Sequence, residues 1–511
     1  MSTRTRARVR RAPRLALDLR AALGLCGTLL KYLSLASLFP AAIALGYGEP
    51  VWPFLAAGAI AAAAGLLLER LGRGAGIAGF REGFFVVAFT WLLAAVFGSL
   101  PYLLSGEQQL DRPVDALFET MSGFTTTGAS VLIDIEALDQ SLLMWRQFTQ
   151  WLGGMGIIVL ALAVLPRLRV GGRQLLESEM PGPEVDDLPD RIRTTAQRLW
   201  FLYVGFTALQ AAILTLFGVV GLDRRMGWFE AVSAAFTTLP TGGFMPEARS
   251  FEEFAAVSQW VTIVFMAIAG ANFALWYRAI VRRSPIVPFR DEELRLYLAI
   301  IAAASILLTA AIWGEGLVAG GESAIRAGVF QVVSMMTTTG FWSVDFAAWP
   351  AVAAATLVML MLVGGSAGST GGSIKVVRHL LLGRVLRREL RQTVHPEEVM
   401  PIRFNGIAVD ERTLRAVIAF VLLYIGLFVA GAAVIAVDSA LQGPELTVLD
   451  AIAASATTLG NVGPSFGVAG PMGSFEPFSD VSTATMIGLM WLGRLEVIPV
   501  LVLLTRRYWR A

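Results

Sequence analysis

The chain has 511 residues, of which 56% are hydrophobic and only 16% charged, with a net charge of +2 and a mean hydropathy of +0.65. A soluble chain carries about 25% charged residues, so this composition excludes a soluble globular protein and points to a polytopic membrane protein. Cys26 is the only cysteine, and His379 and His395 are the only histidines, which excludes an intrachain disulfide and a thiolate metal cluster and disfavours histidine catalysis.

Arg4, Arg6, Arg8, Arg10, Arg11, Arg14 and Arg20 precede the first apolar run. That run is long and has no clear small-residue cleavage site, so the segment reads as a retained cytoplasmic tail and not a signal peptide. Apolar segments long enough to cross a bilayer fall at 22–46, 51–70, 84–104, 142–165, 199–220, 257–281, 293–317, 351–380, 412–438 and 481–505. Their number is even, so both termini are expected on one side. The positive-inside rule makes that side the cytoplasm, as expected for a multi-pass protein of a bacterial inner membrane. The loops agree: Arg167, Arg169, Arg173, Arg191, Arg193 and Arg198 follow the fourth span, and Arg278, Arg282, Arg283 and Arg290 the sixth. Arg378, Arg384, Arg387, Arg388, Arg391 and Arg403 follow the eighth, and Arg506, Arg507 and Arg510 end the chain. These clusters are topology signals or, alternatively, a docking face for an acidic cytosolic partner.

The opposite loops each hold a short semi-apolar segment: Val114–Phe124, Trp228–Phe236, Ala324–Met336 and Val448–Ala456. At about 1.5 Å per residue these reach only ~15–20 Å, too short to span and suited to re-entrant helices. Thr447 and Asp450 have the spacing of a capping box. Glu119 and Glu230 read as helix-start carboxylates or, alternatively, as cation attractors. A glycine loop follows each short segment: Met121–Ser130, Thr237–Phe244, Thr337–Phe341 and Thr457–Pro464. Aligned on Gly128, Gly242, Gly340 and Gly463 they make a four-fold pseudo-repeat of helix, short helix, loop and helix. The expected organisation is a tail and two-helix hairpin over 1–80, then repeats over 81–198, 199–291, 292–410 and 411–511. The fold class is therefore all-α, with four pseudo-symmetric repeats around one pore plus an N-terminal hairpin.

Irregular backbone at membrane depth is tolerated only where it is buried in protein or lines a water-filled path. Glycine lets successive carbonyls turn toward one axis, and rings of carbonyls replace the hydration shell of a cation. The C-terminal ends of the short helices add partial negative charge. No Asp or Glu lies in the four loops, so coordination through backbone is expected. The expected filter is Thr126, Thr127 and Gly128; Pro240, Thr241 and Gly242; Thr338, Thr339 and Gly340; and Asn461, Val462 and Gly463.

The eighth span is interrupted by Gly364, Gly365, Gly368, Ser369, Thr370, Gly371 and Gly372. Glycine costs about 1 kcal/mol relative to alanine in a helix, so this stretch is expected to unwind beside a cavity; the alternative is close helix packing through small residues. The spacing fails the GxxxxGK[ST] pattern of a phosphate loop. Arg494 lies inside the tenth span, where a charge is a functional hypothesis by default. It either faces the cavity and raises a barrier to cations, or it snorkels or pairs structurally. Glu496 lies only two residues on, on another helix face, and Lys375 either neutralises it or an acidic partner group, or snorkels inward.

The sequence resembles the Trk/Ktr/HKT superfamily of potassium transporters, and its TrkH branch most closely. The resemblance rests on Gln150–Val159, Pro240–Phe244, Gly365–Lys375, Asn461–Pro464 and Trp491–Glu496, and it covers the chain from about residue 80. It implies a homodimeric potassium-uptake subunit with a cytosolic nucleotide-binding, TrkA-like regulatory subunit on the arginine-rich face. It also implies K+ as the transported ion, with the 364–372 loop, Lys375 and Arg494 obstructing the pore below the filter. Gly128 stands where serine accompanies sodium permeability in the superfamily, which favours potassium; Pro240 and Trp342 depart from the family pattern. The chain contacts membrane lipid, and neither an organic cofactor nor a nucleic acid partner is expected. The competing readings are a Na+- or H+-coupled, Ktr-like secondary transporter and a membrane enzyme. The latter lacks the clustered His, Cys or carboxylates it would need.

Overall fold

The structure, a computed structural model, describes residues 17–74, 79–163, 188–318, 320–442 and 446–510. The tail arginines Arg4 to Arg14 and the loop arginines Arg167, Arg169 and Arg173 lie outside the described residues.

Among the described residues the regular structure is helical, apart from one short hairpin. The N-terminal unit is α1 (Leu19–Leu33), α2 (Leu38–Tyr47) and α3 (Trp52–Leu71), with a 3-10 turn over Ser34–Ser37 between the first two. Gly27 and Gly65 face each other across α1 and α3, where a β-carbon on either would meet the other helix's backbone. Small residues bring the two axes together, the usual means of helix association in lipid.

The first repeat-like unit follows as α4 (Phe80–Gly98), α5 (Leu100–Ser105), α6 (Pro113–Phe124) and α7 (Gln140–Ala163). Next come α8 (Leu188–Val219), α9 (Trp228–Thr238), α10 (Ala256–Ala269) and α11 (Phe273–Val281). Then α12 (Glu292–Gly314), α13 (Gly321–Met336), α14 (Ala351–Val363) and α15 (Val376–Val394). The last group is α16 (Glu411–Gln442), α17 (Val448–Gly460), α18 (Asp480–Arg494), α19 (Ile498–Leu503) and α20 (Arg506–Trp509).

Among the described residues, six unbroken helical stretches are long and apolar enough to cross a membrane, and only 22–39% of their apolar windows is buried. The remaining apolar surface, including Leu45, Val219, Ile306 and Val437, faces outward as lipid-facing surface does. Three of the ten expected spans are broken more sharply than a continuous helix allows. The 257–281 segment is α10 plus α11, bent by 97° at a short break, where Asn272 caps α11 by accepting from Ala274 N. The 481–505 segment breaks after Arg494, because Glu496 and Val497 both take positive φ and Pro499 opens α19. The 351–380 segment unwinds between Val363 and Val376, as the glycines there predict.

The four short helices α6, α9, α13 and α17 are buried mainly along their C-terminal halves, which point into the protein. They begin and end close to the expected positions. The capping box of α17 is formed in both directions: Asp450 N donates to Thr447 Oγ1 at 3.2 Å and Thr447 N to Asp450 Oδ2 at 2.7 Å. On the arginine-rich face, β1 (Arg403–Phe404) and β2 (Ile407–Ala408) pair antiparallel across Asn405-Gly406. Both turn residues have positive φ, as a two-residue hairpin requires. Asn405 joins this hairpin to the start of α12 through Asp291 and Glu292 N.

Candidate ion path: four loops and the segment beneath them

Each short helix ends in the same way. After α6, Thr126 N donates to Gly123 O (2.9 Å) and Thr127 N to Ser122 O (2.8 Å). The corresponding pairs are Thr241 N to Thr238 O (3.0 Å) and Gly242 N to Thr237 O (2.8 Å); Thr338 N to Met335 O (3.2 Å) and Thr339 N to Ser334 O (2.9 Å); and Asn461 N to Thr458 O (3.4 Å) and Val462 N to Thr457 O (3.0 Å). These are the paired bonds of a Schellman cap, which ordinarily places glycine at the left-handed position. Here that position holds Thr126 (φ 52°), Thr241 (φ 56°), Thr338 (φ 59°) and Asn461 (φ 54°). A β-branched residue in the left-handed region is a genuine outlier, at a cost of order 1–3 kcal/mol. The same turn closes all four short helices, three times on a strained threonine and once on the more tolerant Asn461, which marks these turns as more than connections.

The shared bonds fix the register of the loops. Two residues after each left-handed residue comes a glycine with positive φ: Gly128 (83°), Gly243 (85°), Gly340 (80°) and Gly463 (109°). Gly243 therefore matches Gly128, and the expected alignment on Gly242 is off by one. The second loop's triplet is Thr241, Gly242 and Gly243. Pro240 stands one step earlier, level with Thr125 and Thr337. The two adjacent glycines of Thr241-Gly-Gly made the sequence alignment ambiguous.

These glycines close a ring. A β-carbon on Gly128 would collide with the carbonyl oxygen of Gly242, one on Gly243 with that of Thr339, and one on Gly340 with that of Val462. A β-carbon on Gly463 would lie 2.7 Å from the carbonyl oxygen of Thr127. The loops thus contact one another in the order one, two, three, four, one. Side chains cross-link them. Asn461 Nδ2 donates to Thr127 Oγ1 (2.9 Å) and to Met490 O (3.0 Å). Thr125 and Thr337 exchange hydroxyl bonds of 2.7 Å with Thr127 and Thr339. Gln150 donates to Gly242 O (2.7 Å) and accepts from Phe244 N (3.1 Å).

The unwound stretch between α14 and α15 packs directly against the inner ends of these helices. Thr370 Oγ1 donates to Leu239 O (2.8 Å), and Gly372 N donates to Thr338 Oγ1 (2.8 Å). A β-carbon on Gly372 would collide with Gly460 O, and one on Gly371 would lie 3.0 Å from Thr337 O. The glycines are required by this close approach. Gly364 and Gly368 also take positive φ. The stretch is sewn to the break between α10 and α11 as well, by Ser366 N to Gly270 O (2.8 Å) and Phe273 N to Gly368 O (3.1 Å). Ser369 Oγ caps its own turn by donating to Ser366 O at 2.6 Å.

Arg494 is 2% exposed and ends α18. Its Nη1 donates to Thr370 O (2.7 Å), and its Nη2 reaches Gly153 O (3.5 Å). Lys375 is buried and pairs with Glu496 at 3.4 Å, while Arg378 pairs with the same carboxylate at 2.5 Å. Of the readings open for Lys375 (neutralisation of Glu496 or of an acidic partner group, or snorkelling), the contact with Glu496 is the one seen. Lys375, Glu496 and Val497 all take positive φ, so this ion-paired cluster holds two strained turns against each other.

Arg146 and Glu293 escaped the sequence reading, and Glu119 was misassigned. Glu119 is not helix-start chemistry: its carboxylate pairs with Arg146 Nε at 2.7 Å, with the side chains 0% and 1% exposed. Glu293, from the first turn of α12, is also buried, and its Oε1 accepts from Ala367 N (2.7 Å) and Val377 N (3.1 Å).

A family model described as a cation transport protein, TrkH, matches residues 54–510. The chain is 37% identical over 432 residues to the Trk system potassium uptake protein TrkH of Escherichia coli K12, covering 84% of this chain and 86% of that protein. It is 35% identical over 503 residues to the protein of the same name from Halomonas elongata, covering 97% and 100%. The crystal structure of the potassium transporter TrkH from Vibrio parahaemolyticus superposes with a TM-score of 0.85 at 32% identity, covering 96% of this chain and all of that one. The strained four-loop ring and the loop packed beneath it therefore sit in a chain that belongs to the TrkH family of cation transport proteins.

Proposed function

We propose that this protein is the membrane subunit of a Trk-type potassium uptake system, and that K+ passes through the ring of four loops. The observation that carries the reading is the ring's closure, with each glycine contacting the next loop's carbonyl. Permeating ions would meet carbonyls and hydroxyls of the triplets 126–128, 241–243, 338–340 and 461–463. No carboxylate lies in these loops, so the field at the ion comes from backbone dipoles and from the C-terminal ends of α6, α9, α13 and α17. Weak multi-site coordination of this kind admits a cation without trapping it.

The gate is the 364–372 loop with Arg494, held from below by the Lys375–Glu496–Arg378 cluster. An arginine and a loop directly under the ring place both a steric and an electrostatic barrier in the path. Two relatives carry Trk-system names, which supports a multi-component system. In this reading the chain is a homodimer in a bacterial inner membrane, with both termini cytoplasmic, and a nucleotide-binding TrkA-like subunit docks on its arginine-rich face. It carries out no covalent chemistry and uses no organic cofactor. The hairpin 1–80 and the four units 81–198, 199–291, 292–410 and 411–511 are its working divisions.

The test is rescue of a potassium-uptake-deficient bacterium at low external K+, with the regulatory partner supplied. Growth is expected. Failure to rescue, with the protein present in the membrane, overturns the reading. Reversal potentials of the purified protein in bilayers then separate mechanisms: a Nernstian K+ response insensitive to a pH gradient marks a channel, and a shift with pH or Na+ marks a coupled transporter.

A further inference from the structure

The four loops share their backbone geometry, but among the described residues one junction between them, that of the first and second, is tied by a buried ion pair. Counting back seven residues from each left-handed residue places Glu119 level with Ala234, Gln331 and Ala454. The Trp-Leu-Gly motifs at Trp151 and Trp491 place Arg146 level with Met486 and Gln150 level with Met490. None of the residues matching Glu119 or Arg146 is charged, which leaves the ion pair as a feature of the first repeat.

Glu119 and Arg146 grip both sides of the first loop and the exit of the second. Ser130 Oγ donates to Glu119 Oε1 (3.0 Å), and Val131 N donates to Oε2 (3.2 Å), just after Gly128. Arg146 Nη2 reaches Ser130 Oγ (3.3 Å), while Nη1 donates to Met245 O (3.3 Å). The guanidinium lies 4.0 Å from the centre of the Phe244 ring. One turn along α7, Gln150 holds Gly242 and Phe244. A planar guanidinium with a fixed fork of donors sets distance and angle together.

We propose that Arg146 and Glu119 are positioning residues that set the spacing of the first and second loops, and through it the discrimination of K+ against Na+. The proposal rests on the reading of the ring as the filter. A carbonyl cage fits the larger ion only if its loops are kept apart and do not collapse onto the smaller one. At this junction that restraint comes from the clamp behind the ring. The pair touches no ion and acts only through Ser130, Val131, Phe244 and Met245.

The test is the reversal potential of purified protein in bilayers under opposed K+ and Na+ gradients, a readout independent of how much protein is incorporated. Glu119→Gln keeps the shape and removes the charge, Arg146→Lys keeps the charge and removes the fork, and Ser130→Ala removes only the bridging hydroxyl. Gly128→Ser serves as the direct perturbation of the filter. Glu119→Gln and Arg146→Lys are expected to raise the Na+ to K+ permeability ratio by about tenfold, which is about 1.4 kcal/mol of lost discrimination, and Ser130→Ala to raise it less. Wild-type reversal potentials in all three clamp variants, beside a shifted Gly128→Ser, overturn the proposal and leave the filter reading intact. No shift in any of the four overturns both. Should the charge variants not accumulate as folded protein, Ser130→Ala decides in the same sense.

Discussion

Arg494 Nη1 donates to the carbonyl of Thr370 at 2.7 Å, joining the last residue of α18 to the middle of the loop beneath the ring. Thr370 is in turn bonded to Leu239 O, level with the last turns of the short helices. The arginine therefore holds the loop in place, and if K+ passes through the ring as proposed it also puts a positive charge under the path. A hydrogen bond from a charged donor contributes about 1.5–3 kcal/mol. Arg494→Ala should raise basal K+ flux in liposomes by roughly tenfold or more, and Arg494→Lys less. Unchanged flux from folded Arg494→Ala protein would remove the residue from the gate.

The register of the second loop gives a sharper test. Gly243 has φ 85°, and a β-carbon on it would collide with Thr339 O. That oxygen belongs to backbone and has no room to yield. Gly243→Ala should abolish uptake, as should Gly340→Ala, whose β-carbon meets Val462 O. Gly205→Ala, with open space around the new methyl, is the matched control and should transport normally. Potassium uptake in the deficient strain, with membrane protein levels measured in parallel, checks all three. Full uptake by Gly243→Ala would return the register to Gly242.

Much of this molecule was legible as periodicity and punctuation. Apolar runs give spans, short runs before glycine give re-entrant helices, and glycine clusters give unwound backbone. What was hidden depends on contacts across the chain. Arg146 and Glu119 are 27 residues apart, with no helical spacing to link them, and neither looks unusual alone. The break at Gly270-Ala271-Asn272 was present as a glycine followed by a good helix cap, but an apolar window averages over it. The break after Arg494 depends on two non-glycine residues at positive φ, which no propensity predicts. Arg494 itself had an unused internal clue. Trp491-Leu-Gly-Arg repeats Trp151-Leu-Gly-Gly, so the arginine occupies the place of Gly154, where a β-carbon would collide with Pro240.

Glu293 ties the unwound stretch beneath the ring to the start of α15 with one oxygen, accepting from Ala367 N and Val377 N. It is buried, and no salt bridge to it is formed among the described residues. Its role at these contacts is that of an acceptor, which an amide oxygen can also fill. Glu293→Gln should therefore fold and transport close to the parent level. Glu293→Ala leaves two buried N–H groups without a partner, at about 1–3 kcal/mol each. It should lower the thermal midpoint in detergent and loosen the loop, seen as higher basal flux. Equal midpoints for the alanine and glutamine variants would contradict the anchoring role.

Asp450 links stability at the mouth of the fourth loop to pH. Burial raises its carboxyl's affinity for protons, but hydrogen bonds from Thr447, Val468 N and its own backbone outweigh this and hold it below the usual aspartate value. A carboxylate depressed in the folded state contributes stability above its unfolded pKa, about 3.9, and loses it as pH falls through the lower folded value. Asp450→Asn should therefore destabilise the protein near neutral pH by about 1 kcal/mol, the scale of a lost helix cap. The difference from the parent should shrink below about pH 4, where the parent's own carboxyl protonates. Thermal midpoints of both proteins, measured from pH 7 down to the acid limit of the detergent, check this. A gap that stays constant across that range would show that the capping contacts do not depend on the charge.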